Sequence, residues 1–468
     1  MGNQHGSSTG NGNSDQRRSS AFDKSKQSSM SSKAYTGSLI KLFEKIEITS
    51  DAGNSHPGEI SQSTFENVFH GPLHKFGKLM YRQMLNGHSN RDRITKEQFV
   101  KAGKEILKTF NESDQQKYYF KLFAAGKDVL TQEDALLMIQ VSYALTLSAS
   151  KFPYTKSDRD DRVFTAMVTS MFGIAEELNY ESFVSWLKWN CPHMFCGVHN
   201  WVYLILTGST LPSELETAPV PQLEGFVDGR YCLSMGMLWA MSATLPAAYT
   251  HGQTSETPAN NPLITSYHLI MKLARLSRCQ SWTMLYNSSD HGLSMNRFTH
   301  HVTSYHGPSI MLVSFEGRNL YCVANDTGWR DGPDKYGGEE CMLLQISPVY
   351  RVIQSGEKMM LWNVHTRGLP MGIQIGKMSS SIVLSIPHEF DSVSHYGVAC
   401  TLNKVEVWGC GGSSAKDAQT KQKQWEAKDV QRCAQRKLNL ESKDWNENPD
   451  KQILDWAGIK GGHSYQRE

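Results

Sequence analysis

Ser309-Ile310-Met311-Leu312-Val313-Ser314-Phe315, Glu316-Gly317-Arg318-Asn319 and Leu320-Tyr321-Cys322-Val323-Ala324 follow one another without a break. Two apolar runs of strand length, rich in β-branched and aromatic residues, flank a short polar turn containing glycine, which predicts a β-hairpin. Working outward, Met342–Ile346, Val349–Ile353, Met359–Trp362, Met371–Ile375, Ile382–Ile386 and Leu402–Trp408 repeat the pattern between about Arg230 and Gly412. Strands this short and numerous exceed one open sheet. They predict a β-sandwich with a few flanking helices.

The preceding stretch has a different period. From Tyr35 to Leu206 apolar residues recur three and four apart, as in Leu39-Ile40, Leu42-Phe43 and Ile46, or Phe183, Trp186 and Leu187, which predicts helices. Three pieces resemble eroded EF-hands. In Tyr81–Val100, Ile94 takes the central apolar position, and the liganding positions fall on Gly87, Ser89, Arg91 and Gln98, with Asp92 where glycine belongs. A second, around Leu130, offers Phe123, Ala125 and Lys127; a third, Ile174–Leu187, keeps only the helix pattern. Calcium needs several hard oxygen ligands and usually a bidentate acid. These are expected to be scaffold, without metal. Leu211–Phe226, with Pro212, Pro219 and Pro221, reads as a linker. The expected organisation is an α+β multidomain chain: 1–33 a disordered tail, 34–210 an all-α EF-hand-like region, 211–229 a linker, 230–412 the β-sandwich, and 413–468 a long C-terminal helix and tail.

Composition narrows the function classes. Across 468 residues, 48 Lys+Arg oppose 46 Asp+Glu, a formal net charge of +2. So even a balance excludes bulk attraction to nucleic acid. Nine scattered cysteines, an odd number, argue against a disulfide framework and for a reducing compartment. The first 33 residues hold no apolar run of the kind a signal peptide needs. Tyr231–Thr250 carries no charge, but Ser234, Ser242, Thr244 and Pro246 interrupt it, so a buried helix is expected rather than a membrane span.

Chemistry-bearing clusters are few. Cys191, His193, Cys196 and His199 lie within nine residues, yet their spacing matches no zinc finger, and core packing is the expected role. Gly409-Cys410-Gly411-Gly412-Ser413-Ser414 follows a strand and precedes a helix, but lacks the third glycine and a Walker lysine, so it reads as a flexible exit from the sandwich. His291, His300, His301 and His306 are dense in one region without a nucleophile at any known local spacing. No enzyme is expected, and no cofactor.

The two ends carry more. Met1-Gly2-Asn3-Gln4-His5-Gly6-Ser7 resembles an N-myristoylation signal, with Gly2 the attachment point and Ser7 one place beyond the usual Ser/Thr. One acyl chain anchors only marginally, and Arg17, Arg18, Lys24, Lys26 and Lys33 add a weak electrostatic signal. At the other end Ala415–Leu438 contains no Gly or Pro and predicts a helix of about six turns. Residues 416–437 hold seven Lys/Arg against three Asp/Glu, with only a thin apolar stripe. Such a helix is a solvated appendage or a ligand for a partner's groove. Trp425 and Arg432, continued by Arg436 and Lys437, are the natural anchors.

Within the strand-rich region, Trp282–Ser294, Gly307-Pro308-Ser309, Trp329, Tyr336-Gly337-Gly338-Glu339-Glu340 and Val405-Glu406-Val407-Trp408-Gly409 resemble the TLDc-domain family. Ile382–Thr401 departs from that family's pattern and leaves the strand register open there. With the Met-Gly-Asn start, the helical region and the basic C-terminal helix, the chain is most similar to an mTOR-associated, EAK-like branch of the family. That resemblance implies a non-enzymatic adaptor on the cytosolic face of the lysosomal membrane, also in cytoplasm and at the plasma membrane. It implies V-ATPase peripheral sector and mTOR as partners, with a C-terminal helix reaching toward the rotor stalk. The family's other association, defence against oxidative stress, would need a thiol of depressed pKa.

Overall fold

The computed structural model describes residues 36–48, 58–69, 73–85, 92–109, 111–149, 157–208, 220–251 and 279–435, together with 453, 456 and 457. The chain forms two units, Met1–Ala415 and Lys416–Glu468. The tail over 1–33 lies outside the described residues.

The first half is helical, as its period predicts. Three-residue strands interrupt it: β1 (Glu59–Ser61), β2 (Arg93–Thr95), β3 (Val129–Thr131) and β4 (Glu177–Asn179), each running straight into a helix. β1 pairs antiparallel with β2, setting Ile60 opposite Ile94, and β3 pairs with β4, setting Leu130 opposite Leu178. All four apolar residues are buried. The strand ends also start the helices: Ser61, Thr95 and Asn179 accept from the backbone N–H of Thr64, Gln98 and Ser182. Sequence reading placed Ile94 and Leu130 at central apolar positions of loops, but it assigned none of these four short strands.

Loop positions weighed for calcium have other duties. Gln98 reaches back to the Thr95 N–H at 3.0 Å in a capping box, Phe123 is buried, and Lys127 lies 3.9 Å from Asp134. Gly87, Ser89 and Arg91 lie outside the described residues.

The second half is a large sheet. β5 (Gln222–Leu223), β6 (Ser281–Asn287), β7 (Ser309–Phe315), β8 (Asn319–Asn325), β9 (Met342–Ser347), β10 (Arg351–Ser355), β11 (Met360–Asn363), β12 (Gly372–Ile375), β13 (Leu384–Ile386), β14 (Ser392–His395) and β15 (Val398–Gly409) form it. The order is β10-β9-β8-β7-β15-β14-β13-β12-β11, with β6 also on β15 and β5 on β6. Pairing is antiparallel except for the parallel β5–β6 contact. The hairpin is as expected, with Phe315 opposite Asn319 and the turn carried by Gly317 and Arg318, both at positive φ. The sandwich differs from expectation in one respect: hydrogen bonding runs unbroken through the twelve-residue β15, which pairs β14 with its first residues and β7 with the rest. Over Ile382–Thr401, where the register was open, β13, β14 and the start of β15 form a plain meander.

Why β7 and β8 read as continuous apolar runs is now clear. Met311, Val313 and Phe315 join Tyr321, Val323, Trp362, Ile373 and Leu384 in one core. The alternate residues Ile310 and Leu312, with Leu320, Cys322, Ala324 and Trp408, point into a second core. That second core continues through Phe164, Met167 and Trp239 into the helices. A strand buried on both faces shows no alternation. Polar bonds reinforce the seam: the Tyr350 hydroxyl donates to the Ala240 carbonyl at 2.8 Å, and the Val352 N–H to Asn190 Oδ1 at 3.0 Å.

The stretch read as a linker is described from 220, where Val220 is buried and β5 follows at Gln222. Next to it two buried carboxylates hold the chain. Glu406 accepts from the Cys232 N–H at 3.0 Å and from Lys404 Nζ at 2.8 Å. Asp160 accepts from the Ser157 N–H at 2.9 Å and the Gly236 N–H at 2.7 Å. A Cβ on Gly236 would sit 2.7 Å from the Asp160 oxygen, so only glycine allows this approach. Asp160→Ala leaves the buried Gly236 N–H unpaired and is expected to cost about 2 kcal/mol in urea unfolding. A loss below about 0.5 kcal/mol would mean that the bond contributes nothing net.

Tyr231–Thr250 breaks into helices Met235–Ser242 and Ala247–Thr250 around Pro246. Among the described residues no helix is long and apolar enough to cross a membrane. The run Gly409–Gly412 is corrected: it is a packed corner, not a flexible exit. A Cβ on Gly409 would meet the Tyr305 ring at 2.6 Å, and the Gly411 N–H donates to the Tyr305 hydroxyl at 2.6 Å. Its glycines serve close approach to an aromatic ring.

Candidate functional site

The long helix runs Gly412–Gln435. Its interior lacks Gly and Pro and is rich in Ala, Lys and Gln, all strong helix formers. At 1.5 Å per residue its 24 residues reach roughly 36 Å. Gln422 Nε2 donates to Glu426 Oε1 at 2.9 Å one turn on. Trp425 is 55% exposed and Val430 68% exposed, and Arg432 is exposed as well. Trp425 and Arg432 are seven apart and therefore share a face. Lys421, Lys428 and Asp429 flank that face. Arg436, Lys437 and Gly2 lie outside the described residues. An indole left in water on the same helix face as a guanidinium is the composition of an interface anchor.

Elsewhere the structure shows a feature that sequence reading missed. A cleft of about 560 Å³ lies against the helix Asp158–Phe172 and the β7–β8 turn. Arg159, Arg162 and Arg318 line it, with Asp161, Thr165 and Pro348. Arg159 is committed to Asp228 at 3.2 Å and to the Tyr231 and Cys232 carbonyls at 2.7 and 2.6 Å. Arg162 and Arg318 are exposed and give the cleft a basic rim suited to carboxylates or phosphates. Since 156 residues separate these two arginines in sequence (318 − 162), no local motif announces them.

Of the dense histidines, His291 and His301 pack together, while His300 and His306 are exposed. His291 Nδ1 accepts from the Asn287 N–H at 3.1 Å, and its ring stacks on His301 at 4.0 Å. Burial pushes the thiols of Cys191, Cys232, Cys279 and Cys341 up to about 12, and those of Cys322 and Cys410 further up still. Such thiols are poor nucleophiles at neutral pH. Of the Cys191–His199 cluster, Cys191 is fully buried and His199 faces Tyr119, its Nδ1 3.2 Å from the hydroxyl. His193 instead meets Glu112, with Nδ1 2.9 Å from the carboxylate.

Comparison with known proteins bears on the sheet. Three curated fungal proteins named "Restriction of telomere capping protein 5" are similar to the chain. That of Candida glabrata is 25% identical over 174 residues, 31% of this chain and 30% of the relative. That of Zygosaccharomyces rouxii is 25% identical over 249 residues, 38% and 44% of the two chains. That of Kluyveromyces lactis is 40% identical over 62 residues, 13% and 10% of the two. The chain thus spans less than half the length of the curated relatives it matches. Residues 261–411, which include β6 to β15 and the motifs quoted from Trp282 to Gly409, match the model of the TLDc domain, and the chain carries that domain.

Proposed function

We propose that this protein is a non-enzymatic, membrane-tethered adaptor that binds the peripheral sector of the V-ATPase through its TLDc domain and C-terminal helix. It supports mTOR signalling at the lysosome, as in the EAK-like branch of the family. The carrying observation is the exposed Trp425–Arg432 face of a 24-residue helix with little apolar surface of its own. Arg162 and Arg318 supply a basic contact for acidic partner segments. An acyl chain on Gly2 provides the tether. The paired helix–strand–helix units are an EF-hand-like scaffold without calcium.

Recovery of V-ATPase subunits from lysate, by the full-length chain and by a chain ended after Gly412, tests this. Loss of binding on truncation is expected. Trp425→Ala and Arg432→Ala should each weaken it about thirtyfold, since each anchor contributes about 2 kcal/mol. Undiminished binding would move recognition to the TLDc domain. No V-ATPase recovered by either chain sinks the proposal. The relatives' name suggests a second reading, a role in telomere capping. Accumulation of the tagged chain in nuclei, with none on lysosomes, would favour it. Burial disfavours Cys191, Cys232, Cys279, Cys322, Cys341 and Cys410 as thiols for a defence against oxidative stress.

A further inference from the structure

Glu112 opens the helix Glu112–Phe123, capped by Asn111. Cys196 opens the helix Cys196–Thr207, and His193 sits in the turn just before it. The turn is fixed: the His193 N–H donates to the Ala243 carbonyl at 3.0 Å and the Cys196 N–H to the His193 carbonyl at 3.1 Å. Glu112, His193 and Cys196 each bring one ligand atom to a common point, all within 4.8 Å of one another. The shortest separation, His193 Nδ1 to Glu112 Oε1, is 2.9 Å. The His193 side chain is only 15% exposed, while Glu112, at 45%, leaves the point open to solvent.

From this geometry we propose a zinc-binding site made of Glu112 Oε1, His193 Nδ1 and Cys196 Sγ, with a fourth position open to water. One carboxylate, one imidazole and one thiolate form a borderline set that suits Zn²⁺ and not the hard cations Ca²⁺ and Mg²⁺. Metal–ligand bonds of about 2.0–2.3 Å place tetrahedral ligand atoms roughly 3–4 Å apart, so closure needs shifts of about an ångström at most. Cys196 lies at the N-terminus of a twelve-residue helix, whose dipole favours its thiolate. Binding releases the thiol proton to solvent; the Nδ1 proton that His193 gives to Glu112 also leaves Nδ1, the neutral ring then carrying its proton on Nε2, and the metal replaces that hydrogen bond. It would clamp the starts of two helices that are 84 residues apart (196 − 112). The site is independent of the adaptor reading.

The test uses the full-length chain stripped with chelator, titrated with Zn²⁺ and with Co²⁺ as a spectroscopic probe. One equivalent is expected to bind, with a thiolate-to-cobalt charge-transfer band in the near ultraviolet. Cys196→Ser should abolish the band, while His193→Ala and Glu112→Gln weaken binding at least tenfold. Cys400→Ser, away from the site, should leave both unchanged. Should a variant fail to fold, alkylation of the wild-type chain decides: zinc is expected to slow modification of Cys196 at least tenfold and leave Cys400 unaffected. No bound equivalent, or a band and alkylation rate at Cys196 indifferent to metal, overturns the site.

Discussion

Trp282→Ala is expected to destabilise the protein by about 3–5 kcal/mol, more than any single polar change described above. The Trp282 side chain is fully buried, on β6, in the core that continues from the sheet into the helices. Its indole N–H donates to the Tyr249 carbonyl at 2.8 Å, just beyond the Pro246 break. Alanine leaves a cavity that the surrounding close-packed side chains cannot fill, and it orphans a buried carbonyl. Trp282→Phe fills most of the volume and loses only the bond, so its cost should be about half. Urea unfolding of the full-length chain, followed by far-ultraviolet circular dichroism, separates the two. A shared core further requires that helices and sheet lose structure in one transition. Two transitions in Trp282→Ala, with the helical signal surviving the first, would show instead that the sheet is held by its inner core alone.

Much of this fold was legible because strand and helix leave different periods in a sequence. The β7–β8 hairpin, the helical first half and the long polar helix each declared themselves through local residues. What remained hidden was relational. β1 and β5 are three and two residues long and exist only because a partner strand lies opposite. No local window carries that information. The double burial of β7 explains why its run gave the strand but not the second core behind it. The same limit governs the sites. Trp425 and Arg432 could be picked from helical spacing alone, whereas Arg162 with Arg318, and Glu112 with His193, meet only through the fold. Histidine and cysteine in the 191–199 cluster were visible, but which of them faces outward is a matter of packing.

Acid should expose one of these packing decisions directly. His199 is buried, and burial alone lowers its pKa from 6.5 to about 4. Its neighbour Tyr119 is raised well above 10.0 by the same burial and so stays protonated, able to donate to the neutral imidazole. In the folded chain His199 therefore refuses a proton that the unfolded chain accepts below about 6.5. Between pH 6.5 and about 4 the unfolded state binds more protons, so stability rises with pH across that window and falls as the pH drops. A change of two to three pKa units at 1.36 kcal/mol each gives about 3 kcal/mol lost by pH 4 from this group. Other groups titrate in the same range, so the measurement is a difference. Unfolding free energies of the wild type and of His199→Phe, in metal-free buffer from pH 7 to 4, should converge by about 3 kcal/mol as the pH falls. Phenylalanine keeps the aromatic volume and has no proton to refuse, though it forgoes the Tyr119 bond and starts less stable at neutral pH. Parallel curves would mean that the folded protein admits the proton, and that the helix Cys196–Thr207 opens to water at this point before the rest of the core unfolds.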